Sequence, residues 1–193
     1  VNPAPAEPVT KPVHPGAILA VLASAQLILQ LDFSIVNVAL PDIQNQLGFT
    51  NVGLQWVVTG YALTFGSLLL LGGRAGDLFG RRNLLLWGLV LFALTSLASG
   101  LAQQPWMLIA ARFLQGASGA LVAPSALSLL TTTFAEGPAR TRTIGIWQAA
   151  AAGGASTGVV FGGLLTQYLS WRAIFLVNLP LVAIMLVFAM RVI

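Results

Sequence analysis

Asp32 lies inside an apolar run that opens near Ala17 and closes at Pro41. A charge at membrane depth costs about 2.5–3.5 kcal/mol or more, so such a group is by default paired or functional. The six apolar segments of this chain hold one acid, Asp32, and one base, Arg112. At about 1.5 Å of rise per helical residue, Asp32 sits roughly 13 Å below the end marked by Pro41 and Arg112 roughly 10 Å below the end marked by Pro105. If those ends face the same side of the membrane, the two charges lie at similar depth. A buried carboxylate can take up and release a proton, whereas arginine stays charged at any working pH. Asp32 and Arg112 are therefore expected to couple, directly or through water, with protonation of Asp32 loosening the pair. The opposing expectation is a static structural pair, in which Asp32→Asn leaves proton uptake unchanged.

Other polar groups share these helices. At 100° per residue, Gln26, Gln30, Phe33 and Asn37 fall on one stripe of segment 1, away from Asp32. On segment 4, Arg112, Gly116, Gly119 and Ala123 share a face, with Gln115 at its edge. Gln26, Gln30, Asn37 and Gln115 are expected to line a wet substrate cavity. Between segments 2 and 3, the stretch Gly73-Arg74-Ala75-Gly76-Asp77-Leu78-Phe79-Gly80-Arg81-Arg82 reads as a tight glycine-rich loop. Asp77 is placed either to cap the next helix or to pair with Arg81, and the arginines to meet helix C-termini. Gly154, Gly158 and Gly162, with Gly153 and Gly163 alongside, form a face of small residues on segment 5. Such a face lets backbones approach closely, within the bundle or against another one.

The elements that must position these residues follow from composition. The chain is 57% hydrophobic and only 7% charged, whereas soluble domains carry about 25% charged residues. It is therefore an all-α integral membrane protein. Six segments each approach or exceed the roughly 20 residues a bilayer requires. They run over Ala17–Leu40, Val52–Gly72, Asn83–Ala102, Trp106–Phe134, Thr143–Leu169 and Ala173–Met190, with Asn178-Leu179-Pro180 interrupting the last. Pro41 is expected to end segment 1, and Asp42–Gly53 to form a short external amphipathic helix. Seven of the nine Lys and Arg residues fall on one side if the segments alternate. The positive-inside rule puts that side, and both termini, in the cytoplasm. Trp56, Trp106 and Trp171 then reach the external interface, where indole rings are favoured. Residues 1–16 carry five prolines and read as a disordered cytoplasmic tail before the domain at 17–193. Cysteine is absent and the single histidine, His14, is isolated. No metal site, cofactor or catalytic constellation is expected. The net charge of +4 reflects topology rather than nucleic-acid binding.

Taken together, these motifs resemble the major facilitator superfamily, in particular its fourteen-helix drug:proton antiporters. Leu31–Pro41 is similar to that family's segment-1 motif and Gly73–Arg82 to its cytoplasmic loop motif. Arg112–Ala120 is similar to the segment-4 motif, whose arginine acts in proton coupling, and Gly154–Gly163 to the antiporter motif of segment 5. Val159 after Gly158 and Leu78 after Asp77 depart from the usual patterns. The resemblance implies two three-helix inverted repeats forming the first half of a transporter. It implies proton-driven transport, in the efflux direction, of small amphipathic or drug-like molecules across the plasma (inner) membrane. The expected partners are the bilayer, a small-molecule substrate, and a second six-helix half, with a homodimer supplying it. The alternatives are an isolated half without transport activity, or a membrane binding or assembly module.

Overall fold

The computed structural model describes residues 14–193, so all but the last three residues of the tail expected over residues 1–16 lie outside them. Seven helices follow: α1 (Pro15–Leu47), α2 (Asn51–Phe79), α3 (Arg81–Gly100), α4 (Pro105–Thr133), α5 (Pro138–Tyr168), α6 (Trp171–Leu176) and α7 (Asn178–Val192). The last two form one span of 22 residues, giving six helical spans long and apolar enough to cross a membrane. Proline opens α1, α4 and α5, where its missing N–H costs nothing and its fixed φ suits the first turn. Pro15 and Gly16, read from the sequence as tail, are already helical.

Two boundaries differ from the sequence reading. Pro41 does not end the first helix, because α1 continues through it to Leu47. The continuation buries Ile43 completely and brings Gln46 to the indole of Trp171, whose Nε1 donates to Gln46 Oε1 at 3.0 Å. That burial outweighs the one backbone bond a proline removes. The amphipathic stretch expected as a separate external helix is thus the last turns of α1 followed by the first of α2. The helix stops at Gly48, whose φ of 69° is the left-handed cap that glycine adopts freely. The Gly73–Arg82 stretch is likewise not a loop. Helix continues to Phe79 and resumes at Arg81, and Gly80 alone, at φ 87°, makes the turn. Gly72 serves packing instead, since a Cβ there would run into the Ala120 carbonyl of α4, while one on Gly76 would meet its neighbours at ordinary contact distance. Trp171, expected at the interface, is fully buried, while Trp56 and Trp106 are exposed.

Two helix pairs carry the bundle, α1 with α5 and α2 with α4. In the first, Gly154, Gly158 and Gly162 lie over the carbonyls of Leu27, Leu31 and Ile35, in four-residue register on both helices. A Cβ at Gly158 would come within 2.8 Å of Leu31 O, and one at Gly162 within 3.0 Å of Ile35 O. Ser34 Oγ donates to Ala155 O at 2.7 Å across the same seam. The glycine face therefore has its partner inside the bundle. Gly163 does not belong to it: it points away from α1, with no atom near a Cβ placed there. In the second pair, Gly116 closes on Tyr61 and Thr64, and Thr64 Oγ1 donates to Phe113 O at 2.8 Å.

Exchanging the first three spans for the last three maps these pairings onto each other. The α1–α5 pair becomes α4–α2, and the α3–α4 contact becomes that of the sixth span with α1. Each triplet crosses three times, so the second enters from the opposite side. This is the inverted-repeat arrangement. Two apolar clusters fill the bundle, one around Leu22, Leu89 and Val182, the other around Ile35, Leu108 and Phe175. A thin polar layer separates them.

Candidate functional site: a buried ion pair between two apolar layers

The polar layer is built from four spans. Leu29 and Leu31 of α1 belong to opposite clusters, and Asp32 follows at their junction. Helix α4 brings Arg112 and Gln115, α3 brings Ser96, and α7 brings Asn178. All five side chains are fully buried. Arg112 Nη1 donates to Asp32 Oδ2 at 2.7 Å, so the two charges meet directly. The same nitrogen donates to Gln115 Oε1 at 2.8 Å, and Nε donates to the Val57 carbonyl at 3.1 Å. Asp32 Oδ1 accepts from Gln115 Nε2 at 2.9 Å and from Asn178 Nδ2 at 2.8 Å. The guanidinium carbon lies 4.4 Å from the centroid of the Tyr61 ring and 5.9 Å from that of Phe175, an aromatic enclosure that favours a cation. The carboxylate thus has three donors and the cation three acceptors, with Arg112 Nη2 buried and without a protein partner. These bonds, with the direct ion pair, are what allow the two charges to persist away from water.

A pocket of about 240 Å³ opens beside this layer, between α1 and α2. Gln26, Gln30 and Phe33 line it from α1, and Tyr61 and Phe65 from α2. The rings run in series, Phe33 to Tyr61 at 5.8 Å and Tyr61 to Phe65 at 6.0 Å between centroids. Tyr61 joins pocket and ion pair, since Arg112 lies against the same ring. Two residues assigned to the cavity from sequence do not line this pocket. Gln115 is locked inside the ion-pair layer. Asn37 is exposed on α1 outside the pocket and returns its Nδ2 to its own helix at Phe33 O, 2.8 Å away.

At the α2–α3 corner, Arg81 Nη2 lies 3.3 Å from Asp77 Oδ1 with both groups substantially exposed. Such a pair is worth little on its own. Arg82 Nη2 donates to the Met190 carbonyl at 3.4 Å, near the C-terminus of α7. Gly73 faces Pro124 of α4, with room for a Cβ. Gly80 makes the turn.

Ser96, Asn178, Tyr61 and Phe65 were not singled out from sequence as site residues. The available signals were weak: a run of small polar residues at Thr95, Ser96 and Ser99 on one face of α3, and an asparagine two residues before Pro180.

Six helical spans, arranged as two exchanged triplets around a buried ion pair, define a polytopic integral membrane protein. The family model described as the Major Facilitator Superfamily matches residues 22–193, and the chain belongs to that superfamily, whose members are transporters rather than enzymes. It is 48% identical over 174 residues to a cephamycin export protein of Amycolatopsis lactamdurans, covering 90% of this chain and 36% of that protein. It is 48% identical over 162 residues to a puromycin resistance protein of Streptomyces alboniger, covering 84% and 32%. A methylenomycin A resistance protein of Streptomyces coelicolor is 44% identical over 172 residues, covering 89% and 36%. The chain spans about a third of the length of these curated relatives.

Proposed function

We propose that this chain is a six-helix half of a proton-driven exporter of small amphipathic, antibiotic-like molecules. It works in the plasma membrane with both termini in the cytoplasm. One observation carries this reading: a carboxylate and an arginine, fully buried and 2.7 Å apart, in a superfamily bundle whose named relatives are export and resistance proteins. Proton uptake at Asp32 cancels the charge that holds Arg112. Arg112 then shifts toward its remaining acceptors on α2 and α4, Val57 O and Gln115 Oε1. Tyr61 carries that shift to the pocket, where Gln26, Gln30 and the three aromatic rings hold substrate. The Asp77–Arg81 corner and the Arg82–Met190 contact tie the cytoplasmic ends together and release as the bundle rearranges. The energy source is the proton gradient.

Superfamily sites lie between repeats, near the bilayer midplane, so one bundle supplies half of the cavity wall. A second copy of the chain, related by a two-fold axis, is the proposed other half. The length of the relatives favours a second reading, in which further chain supplies it. Native mass spectrometry from lipid nanodiscs separates the two, a dimer supporting the first and a monomer overturning it. Transport itself is tested in proteoliposomes with an imposed pH gradient and a fluorescent amphipathic dye. Gradient-dependent efflux that disappears in Asp32→Asn is the expected result. Efflux that ignores the gradient overturns the proton reading.

A further inference from the structure

The sixth span stays helical through Val177, at φ −62° and ψ −25°, and the next residue reaches into the ion-pair layer. Asn178 Nδ2 donates to Asp32 Oδ1 at 2.8 Å and to Ser96 Oγ at 3.0 Å. Gln115 Nε2 does the same from α4, at 2.9 Å to each. Asp32 Oδ1 and Ser96 Oγ are thus bridged twice, and each amide spends both of its N–H groups on the bridge. The amides differ at their oxygens. Gln115 Oε1 accepts from Arg112, which fixes its orientation. Asn178 Oδ1 is buried with no protein partner.

An ionised carboxylate only accepts, whereas a protonated one carries an O–H that must donate. The groups hydrogen-bonded to Asp32 are all donors. A proton on Oδ2 would face the permanent Arg112 cation, and a proton on Oδ1 would face two N–H groups. Turning the Asn178 amide over exchanges Nδ2 for Oδ1. That oxygen can then accept from the acid O–H and from the Ser96 hydroxyl together. Oδ1 has no protein partner where it now lies, so the turn breaks no bond there. Gln115 cannot turn without releasing Arg112.

We propose that Asn178 is a positioning residue for the Asp32 proton, its side-chain amide turning over when Asp32 becomes protonated. This rests on the proton uptake at Asp32 proposed above. The titratable and charged groups facing Asp32 are Arg112 from α4 and Tyr61 from α2. The other elements face it with Ser96 from α3, Gly158 of α5 against the adjoining turn, Phe175 of α6 beside Arg112, and Asn178 itself. Asn178 also lies two residues before Pro180, which has no N–H to offer the Leu176 carbonyl. The proton is therefore read beside a backbone bond that the sixth span lacks.

The test is pH-difference infrared spectroscopy of the chain in lipid nanodiscs, with asparagine side chains 13C-labelled. In the wild type, a carboxylic-acid band and a shifted labelled-amide band are expected to appear together as pH falls. Both should be lost in Asp32→Asn. In Asn178→Leu the acid band should remain, moved to the frequency of an acid without a hydrogen-bond acceptor, and the labelled-amide change should vanish. An Asp32-dependent acid band in the wild type with no labelled-amide change overturns the role of Asn178 and leaves the proton reading standing. Absence of any Asp32-dependent acid band at every accessible pH overturns both. The central readout is on the wild-type chain, so a folding defect in Asn178→Leu does not remove it.

Discussion

Arg112 is held on three sides, by Asp32, Gln115 and the Val57 carbonyl, and covered by Tyr61 and Phe175. Removing one member of such a pair leaves the other charge buried and uncompensated. Arg112→Ala is expected to destabilise the bundle by about 3–5 kcal/mol, read as a lower midpoint of thermal unfolding in detergent. The double change Asp32→Leu with Arg112→Met removes both charges and keeps volume. It should recover most of that loss, since apolar replacements of buried ion pairs are often neutral or stabilising, while gradient-driven efflux stays absent. A double variant as unstable as Arg112→Ala would show that packing of the arginine stem, not the unpaired carboxylate, is the cost. Asp32 and Arg112 were legible in the sequence because a charge within an apolar span is rare and costly. Ser96 and Asn178 were not, because small polar residues are common in membrane helices and bond to whatever neighbour is near. Nothing in the spacing says that Asn178 donates to the Asp32 carboxylate or that Ser96 accepts from the same amide.

Between elements, the seam of α1 against α5 rests on backbone approaching backbone. Gly158→Val brings a Cβ within 2.8 Å of the Leu31 carbonyl and 2.9 Å of the Ser34 Cβ and adds two methyl groups to that crowding. It should force the helices apart, and the checks are the yield of folded protein and a cysteine cross-link between α1 and α5. Gly163→Ala meets nothing. It should leave the fold intact and add up to about 1 kcal/mol through helix propensity alone. Equal damage from both changes would mean that the glycines serve some need other than close approach. The number and order of spans, and the α-helical class, were readable from hydropathy and length. The two misread boundaries have one cause. Proline at 41 and glycine at 73, 76 and 80 are punctuation in isolated chain, yet burial of Ile43 and the approach of Gly72 to Ala120 carry helix through all of them but Gly80. Tertiary contact decides such cases, and local sequence does not contain it.

The whole molecule offers a clean background for thiol labelling, because the chain contains no cysteine. Leu78, at the end of α2, and Leu101, just after α3, are both exposed and lie at opposite ends of α3. With Leu78→Cys and Leu101→Cys, an impermeant maleimide added outside intact cells should label only position 101, and position 78 only after permeabilisation. The reverse pattern would overturn the orientation derived from Lys and Arg.

The exchange of one helix triplet for the other has a mechanical side. Helices α1 and α4 trade places in it, as do α2 with α5 and α3 with the sixth span, and α1 and α4 carry Asp32 and Arg112. The tightest seams, α1 with α5 and α2 with α4, each join one triplet to the other. The triplets are therefore clasped like interlocked fingers. Tilting one against the other would have to part backbone from backbone, so large movement falls to the bundle as a whole, and the charge pair travels inside it as cargo in a closed box.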